Sequence, residues 1–434
     1  MVEAHAAMKS WIAYDASAHF PMENIPFGAF MNPTTNKVEC CTRIGDKVIS
    51  LNALEHERLF TGPIFSAMAK HIFCEENLNA FAALGPAARI EARETIQTLF
   101  KAGNEAMLTE ALKADALFEA AEVKMHMPMF IRDYTDFYSS RNHAFNLGAI
   151  LRGPGNELQP NWSHLPVGYH GRASSIVVDG TPIRRPRGQV QVAPDVQEPK
   201  WSPCMRMDFE LEMGTFIGVG NELGTPIKVN DAREHIFGFT LLNDWSARDI
   251  QGWEYVPLGP FNAKNFASTI SPWVITPEAL APFKVALPEQ EPKLMGYLQD
   301  KDLSSYNINL EVHLKTPTME NYDMISKSNM RHLYYSVPQT IAHHSVTGCN
   351  MGTGDMLGTG TISGTDKSAY GCLIELTWKG TQPIKMSNGD ERKFLQDGDT
   401  IMMRGICEGE GYTIGFGECT GSVIPALDES FYTA

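Results

Sequence analysis

From Phe130 onward the chain consists of short runs in which apolar and polar residues alternate, and this pattern restricts the fold more than any other feature. Turns rich in Gly, Pro and Asn separate the runs. Side chains alternate between the two faces of a strand, so such runs predict strands with one buried face, not the alternating strands and helices of a parallel sheet. We therefore predict a mainly β domain with some helix over residues 128–434. The runs are Met207–Ile217, Ile236–Leu242, Ile308–Leu314, Leu373–Trp378 and Thr400–Arg404.

The first 127 residues have a different pattern and predict a separate domain. Two alternating segments, Val38–Ile44 and Val48–Asn52, flank the dipeptide Gly45-Asp46, which is typical of a hairpin turn. Downstream segments that begin with Pro or repeat apolar residues at helical spacing predict helices. Residues 1–127 are thus expected to form a small β-barrel or sheet followed by helices. The predicted helices are Pro63–Phe73, Pro86–Phe100 and Ala106–Ala121.

The formal net charge of −15 limits the possible partners. Nucleic acid and anionic membranes both bind basic surfaces, so both are disfavoured, and an acidic substrate needs a local cluster of Arg and Lys. The eight cysteines include no Cys-x-x-Cys pair and are expected to be free thiols in a reducing compartment. The first 20 residues do not resemble a signal peptide. No run reaches the ~18 apolar residues that span a bilayer. We therefore expect a soluble, cytoplasmic protein.

Acidic residues carry the strongest chemical signal. The sequence has no Gly-x-Ser-x-Gly elbow, no His-Glu-x-x-His and no Gly-x-x-x-x-Gly-Lys loop. In Asp208–Met213 acidic and apolar residues alternate, which on a strand places Glu210 and Glu212 on one face, ~7 Å apart. The alternative is a half-exposed strand with a solvated acidic face.

Two further acids lie at the ends of predicted elements. Asp244 follows the apolar run Ile236–Leu242, and its alternative role is a helix capping box with Ser246 and Asp249. Asp136 has the alternative role of a turn residue. If both acids converge with the pair on the strand, the four charges would take up protons or resist folding unless a cation neutralises them. Oxygen ligands then predict calcium, or magnesium if several waters are kept.

A histidine and a buried acid complete the candidate catalytic set. His143 follows Asp136 by seven residues and is either a general base for water or a structural or exposed histidine. Glu375 lies in the apolar run Leu373–Trp378, which is predicted as a strand. A buried carboxylate there needs a partner, and a histidine would provide one.

Three basic residues are candidates for binding anionic groups: Arg152, Arg248 and Lys264. Arg248 and Gln251 have the spacing that places two side chains on one face of a helix. A role in surface solubility is the alternative for these residues. Lys264 lies in the weakly charged segment Pro257–Phe266, where an idle lysine is less expected.

Several stretches give the chain a resemblance to a known family. The most specific are Asp133–His143 (DYTDFYSSRNH), Pro160–Ile176 (PNWSHLPVGYHGRASSI) and Asn243–Asp249 (NDWSARD). Together with shorter matches, they resemble the fumarylacetoacetase family over nearly the whole chain. The wider superfamily of acylpyruvate hydrolases and decarboxylases generally lacks the long amino-terminal domain and the second of these stretches. The shorter matches are Phe20–Gly28, Glu210–Glu212, Trp253–Phe261, Ser268–Trp273 and Gly360–Gly364.

The resemblance implies two cation sites, one for calcium and one for magnesium. Family members carry Thr where this chain has Ser268, and Ser keeps the hydroxyl group. The implied ligands are Asp136, Glu210, Glu212 and Asp244 for calcium, and Asp244, Lys264 and Ser268 for magnesium.

The resemblance also implies roles for the other candidates. His143 would activate water and Glu375 would orient it, while Arg248, Gln251 and Lys264 would stabilise oxyanion charge. The implied substrate contacts are Tyr138, Arg152, Tyr169, Gln251, Tyr255 and Thr361.

The fold and activity implied by the resemblance are equally specific. The fold is a small Src-homology-like β-barrel domain over residues 1–127 and a large mixed β-sandwich roll over residues 128–434, assembled as a homodimer. The activity is metal-dependent hydrolysis of the carbon–carbon bond of 4-fumarylacetoacetate to fumarate and acetoacetate, the final step of tyrosine and phenylalanine catabolism. One alternative is an acylpyruvate hydrolase or decarboxylase of the same superfamily. The other is an inactive metal-binding scaffold, against which the presence of both His143 and Glu375 argues.

Overall fold

The computed structural model describes residues 8–15, 17–191 and 196–433. Residues 1–7 lie outside the described part. Among the described residues, no helix has both the length and the apolar character needed to cross a membrane.

The amino-terminal region contains an antiparallel sheet and a set of helices. Within the described residues this sheet has five strands in the order β4-β3-β2-β1-β5. The predicted hairpin is confirmed, because β2 pairs with β3 across a turn in which Gly45 has a φ of +56°. The elements are β1 (Phe27–Asn32), β2 (Lys37–Ile44), β3 (Lys47–Ser50), α1 (Leu51–His56), α2 (Pro63–Ser66), α3 (Asn79–Ala82), α4 (Pro86–Phe100), α5 (Glu110–Ala116), β4 (Leu117–Glu119) and β5 (Lys124–His126).

Two of the three predicted helices in this region are shorter than expected, whereas α4 has the predicted bounds. The helix predicted over Pro63–Phe73 ends at Ser66. Phe65 and Phe73 stack with ring centroids 5.6 Å apart, whereas one continuous helix would hold them ~12 Å apart along its axis. The helix predicted over Ala106–Ala121 is reduced to α5, because the next residues form β4 and pair with β3.

The carboxyl-terminal region is built on two main sheets. Within the described residues, one sheet has seven strands in the order β7-β6-β21-β13-β14-β16-β8, and the other has five in the order β20-β19-β24-β25-β9. The strands are β6 (Tyr134–Phe137), β7 (Gly168–His170), β8 (Ile176–Val178), β9 (Ile183–Arg184), β10 (Arg187–Val190), β11 (Lys200–Pro203), β12 (Met207–Asp208), β13 (Leu211–Ile217), β14 (Ile236–Asp244), β15 (Ser246–Ala247), β16 (Ser268–Ile270), β17 (Lys284–Ala286), β18 (Ser304–Tyr306), β19 (Asn309–Lys315), β20 (Asp323–Asn329), β21 (Met356–Gly358), β22 (Ile384–Lys385), β23 (Glu391–Arg392), β24 (Thr400–Glu408) and β25 (Thr413–Ile424).

The helices of this region are short and lie in the connections between strands. Most pairings in the seven-stranded sheet are antiparallel, but β6 with β21 and β8 with β16 are parallel, so the sheet is mixed. The fold is therefore a mixed α/β architecture. The helices are α6 (Arg141–Arg152), α7 (Arg248–Glu254), α8 (Asn262–Asn265), α9 (Pro277–Leu280), α10 (Val337–Ser345) and α11 (Leu373–Leu376).

The predicted strand runs are confirmed at Ile236–Leu242 and Thr400–Arg404, which fall in β14 and β24. The run Ile308–Leu314 is confirmed except for its first residue, since β19 begins at Asn309. The run Met207–Ile217 is interrupted, because β12 pairs with β15 whereas β13 pairs with β14 and β21.

The strand predicted over Leu373–Trp378 is wrong, because this segment contains the helix α11. The backbone N–H groups of Leu373 and Ile374 donate to the Asp208 carboxylate, which holds the first turn. Trp378 and Lys379 then adopt positive φ values of +46° and +57°, which end the turn. A partner from a distant strand therefore determines the local conformation.

Aromatic packing joins the two regions. The Phe81 ring lies 4.9 Å from the Phe27 ring and 5.6 Å from the Phe237 ring, measured between centroids. Phe27 and Val274 also exchange backbone hydrogen bonds of 2.9 and 2.8 Å. The amino-terminal sheet thus packs directly on the strand β14, whose far end carries Asp244.

Candidate active site

Three acids on strands of the seven-stranded sheet form one buried group. Asp136 lies on β6, Glu212 on β13 and Asp244 at the end of β14. One carboxylate oxygen from each lies within 4.8 Å of the other two. Gly358 on the intervening strand β21 allows this approach, because a Cβ atom there would lie 2.5 Å from Asp136 Oδ1 and 3.0 Å from Glu212 Oε2.

The local alternatives considered for these acids are wrong. Glu212 is 0% exposed, so the strand does not present a solvated acidic face. Asp136 lies within a strand and not in a turn. Asp244 caps no helix: α7 begins at Arg248 after Ala247, which makes no side-chain capping bond.

Burial makes the three acids unfavourable as bare anions. It raises the pKa of Asp136 to about 8, and the negative charge of Asp244 contributes to this rise. Burial also raises the pKa of Glu212 and of Asp244, and Glu212 Oε1 has no hydrogen-bond partner within the described residues. A hard divalent cation would relieve both the repulsion and the unpaired oxygen, and an all-oxygen donor set suits calcium or magnesium.

Glu210 lies beside this group but faces the positive charges. Its carboxylate accepts hydrogen bonds from Lys264 Nζ and from Arg248 Nη2, the latter at 2.8 Å. Burial alone would raise the pKa of Glu210, but Arg248 and Lys264 hold it below its usual range. Lys264 Nζ also donates to Asp244 Oδ2 at 2.6 Å, so this one ammonium group connects Glu210 to the three-acid group.

A buried histidine–carboxylate pair lies on the other side of Glu210. His143 is 2% exposed, so the exposed alternative is wrong. Its Nδ1 donates to Glu375 Oε2 at 2.6 Å, and its Nε2 lies 4.0 Å from Glu210 Oε1. Burial would raise the pKa of Glu375, but the charge and hydrogen bond of His143, with hydrogen bonds from Cys372 and Asn146, lower it. The expected partnership of these two residues is confirmed. The Glu375 carboxylate also accepts hydrogen bonds from Asn146 at 2.9 Å, Ser363 at 2.8 Å and Cys372 at 3.0 Å.

The side chain of Arg248 is buried and has an ordered set of acceptors, so its surface alternative is wrong. Its Nε donates to Asp208 Oδ2 at 2.8 Å, its Nη2 to Glu210 and its Nη1 to Gln251 Oε1 at 3.1 Å. Lys264 is buried too, and the charges of Asp244 and Glu210 raise its pKa although burial opposes this. Both residues therefore remain cations beside the acids.

The predicted substrate contacts differ in the partners that the structure gives them. The Tyr138 ring packs edge-on against His143 at 5.4 Å, and Tyr169 donates to Asp244 Oδ2 at 2.8 Å. Thr361 is buried, with no described partner for its hydroxyl group. The Arg152 guanidinium donates to the carbonyl groups of residues 156 and 157, and its charge opposes the rise that burial causes in the pKa of Tyr138. Tyr255 is 39% exposed in the segment after α7.

The hydroxyl group of Ser268 donates to Asp244 Oδ1 at 2.9 Å, so the predicted second-site residue does reach the acids. Asp208 is the residue that sequence reasoning missed. It lies in the same alternating stretch as Glu210 and Glu212, and this position in the sequence could have identified it as a further candidate acid. Its contacts with α11 depend on residues more than 160 positions away, which no local pattern reveals.

The arrangement joins a candidate all-oxygen cation site to a histidine oriented by a carboxylate and to the two buried cationic side chains of Arg248 and Lys264. These are the groups that an enzyme uses to activate water and to stabilise developing negative charge.

Comparison with known proteins identifies the family. The Fumarylacetoacetase N-terminal model matches residues 23–128 and the Fumarylacetoacetate (FAA) hydrolase C-terminal model matches residues 133–424. The fumarylacetoacetase of Bos taurus is 49% identical over 419 residues, covering 96% of this chain and 99% of the relative. Those of Homo sapiens and Arabidopsis thaliana are 48% and 47% identical, covering 96% and 97% of this chain and 99% of each relative. The chain therefore belongs to the fumarylacetoacetase family.

The fold has a solved relative as well. A fumarylacetoacetate hydrolase from psychrophilic Exiguobacterium antarcticum aligns with a TM-score of 0.51 at 15% identity. The alignment covers 92% of this chain and 99% of that one. At this identity the likeness concerns the fold alone.

Proposed function

We propose that this protein hydrolyses the carbon–carbon bond of 4-fumarylacetoacetate to give fumarate and acetoacetate, the final step of tyrosine and phenylalanine catabolism. One observation carries the proposal: close to half of the residues are identical to fumarylacetoacetases along 96% of the chain. The buried His143–Glu375 pair beside the acids supplies the chemistry that such a reaction needs.

The cations belong to the same proposal. The calcium ligands would be Asp136, Glu210, Glu212 and Asp244, and the clustering of three of them supports this assignment. Calcium at this site would hold the oxygens of the diketo acid and polarise the attacked carbonyl group. Magnesium would take Asp244, Ser268 and Lys264. Because the Lys264 ammonium group is itself a cation, only the backbone carbonyl of Lys264 is suited to ligation.

His143 would act as the general base. Its Nδ1–H is bound to the Glu375 carboxylate, which leaves Nε2 to take a proton from the attacking water. The water attacks the carbonyl group next to the fumaryl moiety. Arg248, Gln251 and Lys264 would stabilise the resulting oxyanion, and donors of this kind are each worth ~3 kcal/mol. The carbon–carbon bond would then break, and the Arg248 and Lys264 side chains would stabilise the enolate until protonation gives acetoacetate. A bound divalent cation would add to this stabilisation.

The remaining expectations also form part of the proposal. The family models meet between residues 128 and 133, which supports a division into residues 1–127 and 128–434. A Src-homology-like barrel, a sandwich roll, a homodimer and a cytoplasmic location complete it. The proposed substrate contacts are Tyr138, Arg152, Tyr169, Gln251, Tyr255 and Thr361.

A spectrophotometric assay tests the activity. Purified protein is incubated with fumarylacetoacetate, with an acylpyruvate in parallel and with a chelator-treated sample as control. We expect rapid, chelator-sensitive loss of fumarylacetoacetate and little turnover of the acylpyruvate. Faster hydrolysis of the acylpyruvate would assign the chain to another activity of the superfamily, and absence of both reactions would favour the scaffold alternative.

A further inference from the structure

Asp208 is a fully buried acid that lies next to the proposed catalytic residues but contacts none of the three clustered acids. It is 0% exposed, and its carboxylate accepts four hydrogen bonds within the described residues. The Arg248 Nε donates to Oδ2 at 2.8 Å, and the backbone N–H of Ile374 donates to the same oxygen at 3.1 Å. The backbone N–H groups of Leu373 and Phe209 donate to Oδ1 at 2.6 and 2.9 Å.

The backbone around Asp208 explains why it reaches both partners. The strand β12 pairs with β15 so that Asp208 lies opposite Ser246, and the Arg248 N–H donates to the Arg206 carbonyl at 3.0 Å. The start of α7 is thereby held beside the carboxylate. On the other side, Cys372 precedes α11 without a side-chain capping bond of its own. The Asp208 oxygens accept the N–H groups that a local cap would otherwise take.

The Arg248 guanidinium and the helix α11, both held by Asp208, contribute to different steps of the proposed reaction. Arg248 uses its other nitrogens for Glu210 and Gln251, on the side of the oxyanion. The helix α11 carries Glu375, which binds His143, on the side of the general base. Asp208 is therefore one carboxylate shared by both sides.

We propose that Asp208 is a positioning residue, which holds the Arg248 guanidinium and the helix that carries Glu375 in a fixed position relative to each other. The general base, His143, and the oxyanion-stabilising Arg248 are thereby kept aligned. This inference rests on the proposed function. A purely structural role would only neutralise the buried charge of Arg248 and would affect stability without affecting turnover. Residues that orient catalytic groups in this manner typically change activity by about 10- to 100-fold when altered.

The substitution Asp208→Asn tests the proposal, because an amide of the same shape cannot accept at both of its positions. If the amide nitrogen takes the place of Oδ2, Arg248 and Ile374 both lose their acceptor. If it takes the place of Oδ1, Leu373 and Phe209 lose theirs, so the first turn of α11 is weakened in either orientation. We expect kcat for fumarylacetoacetate to fall about 10- to 100-fold. We expect KM to stay within about threefold of the wild-type value, since the substrate is not contacted. Calcium affinity, measured by calorimetric titration, should change much less than kcat.

Asp399→Asn is the matched control. Asp399 is also 0% exposed and accepts from both Nε and Nη2 of one arginine, Arg392, at 2.8 and 2.9 Å, and from a backbone N–H at 2.8 Å. Replacing the Asp399 carboxylate with an amide should lower the melting temperature but leave kcat unchanged. An equal loss of kcat in both variants, or a wild-type kcat in Asp208→Asn, overturns the proposal.

A double-mutant cycle separates positioning from an independent effect. Asp208→Asn is combined with Glu375→Gln and, separately, with Arg248→Lys. If Asp208 acts through these residues, Asp208→Asn should lower kcat by a smaller factor in each of these variants than it does in the wild-type protein. The same factor in all three backgrounds contradicts the proposal. If Asp208→Asn does not fold, Asp208→Glu carries the test, since the longer side chain keeps the charge but displaces its partners.

Failure of the proposed function can be distinguished from failure of this inference. If the wild-type protein does not turn over fumarylacetoacetate, the proposed function fails. Crystal structures of the wild type and of Asp208→Asn then test the positioning by themselves. A displaced Arg248 guanidinium or a displaced α11 supports the inference, and unmoved positions of both overturn it.

Discussion

At the scale of single residues, the orientation of His143 depends on one short contact. Glu375 holds its Nδ1, and three further donors hold Glu375 in turn. The ring therefore has little freedom to turn, and its Nε2 points toward Glu210 and the acids. A histidine held in this manner is suited to accept a proton from a water placed beside a cation.

Removal of the His143 ring should separate turnover from cation binding. We expect His143→Ala to lower kcat by about 10²- to 10⁴-fold, the range typical of a lost general base. Calcium affinity should be retained, because His143 is not among the carboxylate ligands proposed. Steady-state assays and calorimetric titration measure the two quantities. His235→Ala is the control, since His235 also holds its Nδ1 by one contact, to the carbonyl of Val219. Near-normal turnover in His143→Ala would contradict the role of base.

At the scale of elements, the strand β21 separates the two strands that carry Asp136 and Glu212. Its residue Gly358 pairs with Asp136 on one side and with Gly214 on the other. The absence of a side chain at Gly358 leaves room for the two carboxylates above the strand. The cation site therefore depends on a residue that provides no ligand.

Gly358→Ala should weaken the cation site. The added Cβ atom would lie 2.5 Å from Asp136 Oδ1, so the carboxylates must move apart. We expect calcium affinity to fall by about tenfold or more, with activity partly restored by excess calcium. Gly296→Ala is the control, because a Cβ atom there meets nothing within 4 Å. Unchanged calcium affinity in Gly358→Ala would show that the carboxylates adjust without cost.

The same elements show which parts of the structure the sequence could predict. The strand β14 and the helix α4 follow from local periodicity, and their positions are confirmed. The helix α11 could not be predicted, since its apolar sequence suits a strand and its first turn is held by Asp208 from β12. Likewise, the residues of Pro63–Phe73 turn early because Phe65 and Phe73 pack together. Prediction from the local sequence pattern is wrong where contacts with residues far away in the sequence determine the backbone conformation.

At the scale of the whole molecule, the acid cluster connects cation binding to stability. Asp136 has a pKa of about 8 in the folded protein without a cation, compared with an ordinary value near 4. Between these two values the folded state keeps a proton that the unfolded chain has released. Stability of the cation-free protein therefore falls as the pH rises through this window. Glu210 has a lowered pKa, so its contribution changes only at more acidic pH.

The expected result is a pH-dependent loss of stability that calcium removes. For the chelator-treated protein, we expect the melting temperature to fall by roughly 2–5 °C between pH 6 and pH 8 beyond any change in the calcium-loaded protein. Calcium holds the acids as anions, so the loaded protein should show no such extra fall, and calcium binding near neutral pH should release protons. Differential scanning calorimetry measures the first effect, and titration in buffers of different ionisation enthalpy measures the second. Equal changes in the melting temperatures of the two forms between pH 6 and pH 8 would give the opposite answer. That result would mean that the acid cluster holds no extra proton in the cation-free protein, and that no cation is needed to neutralise it.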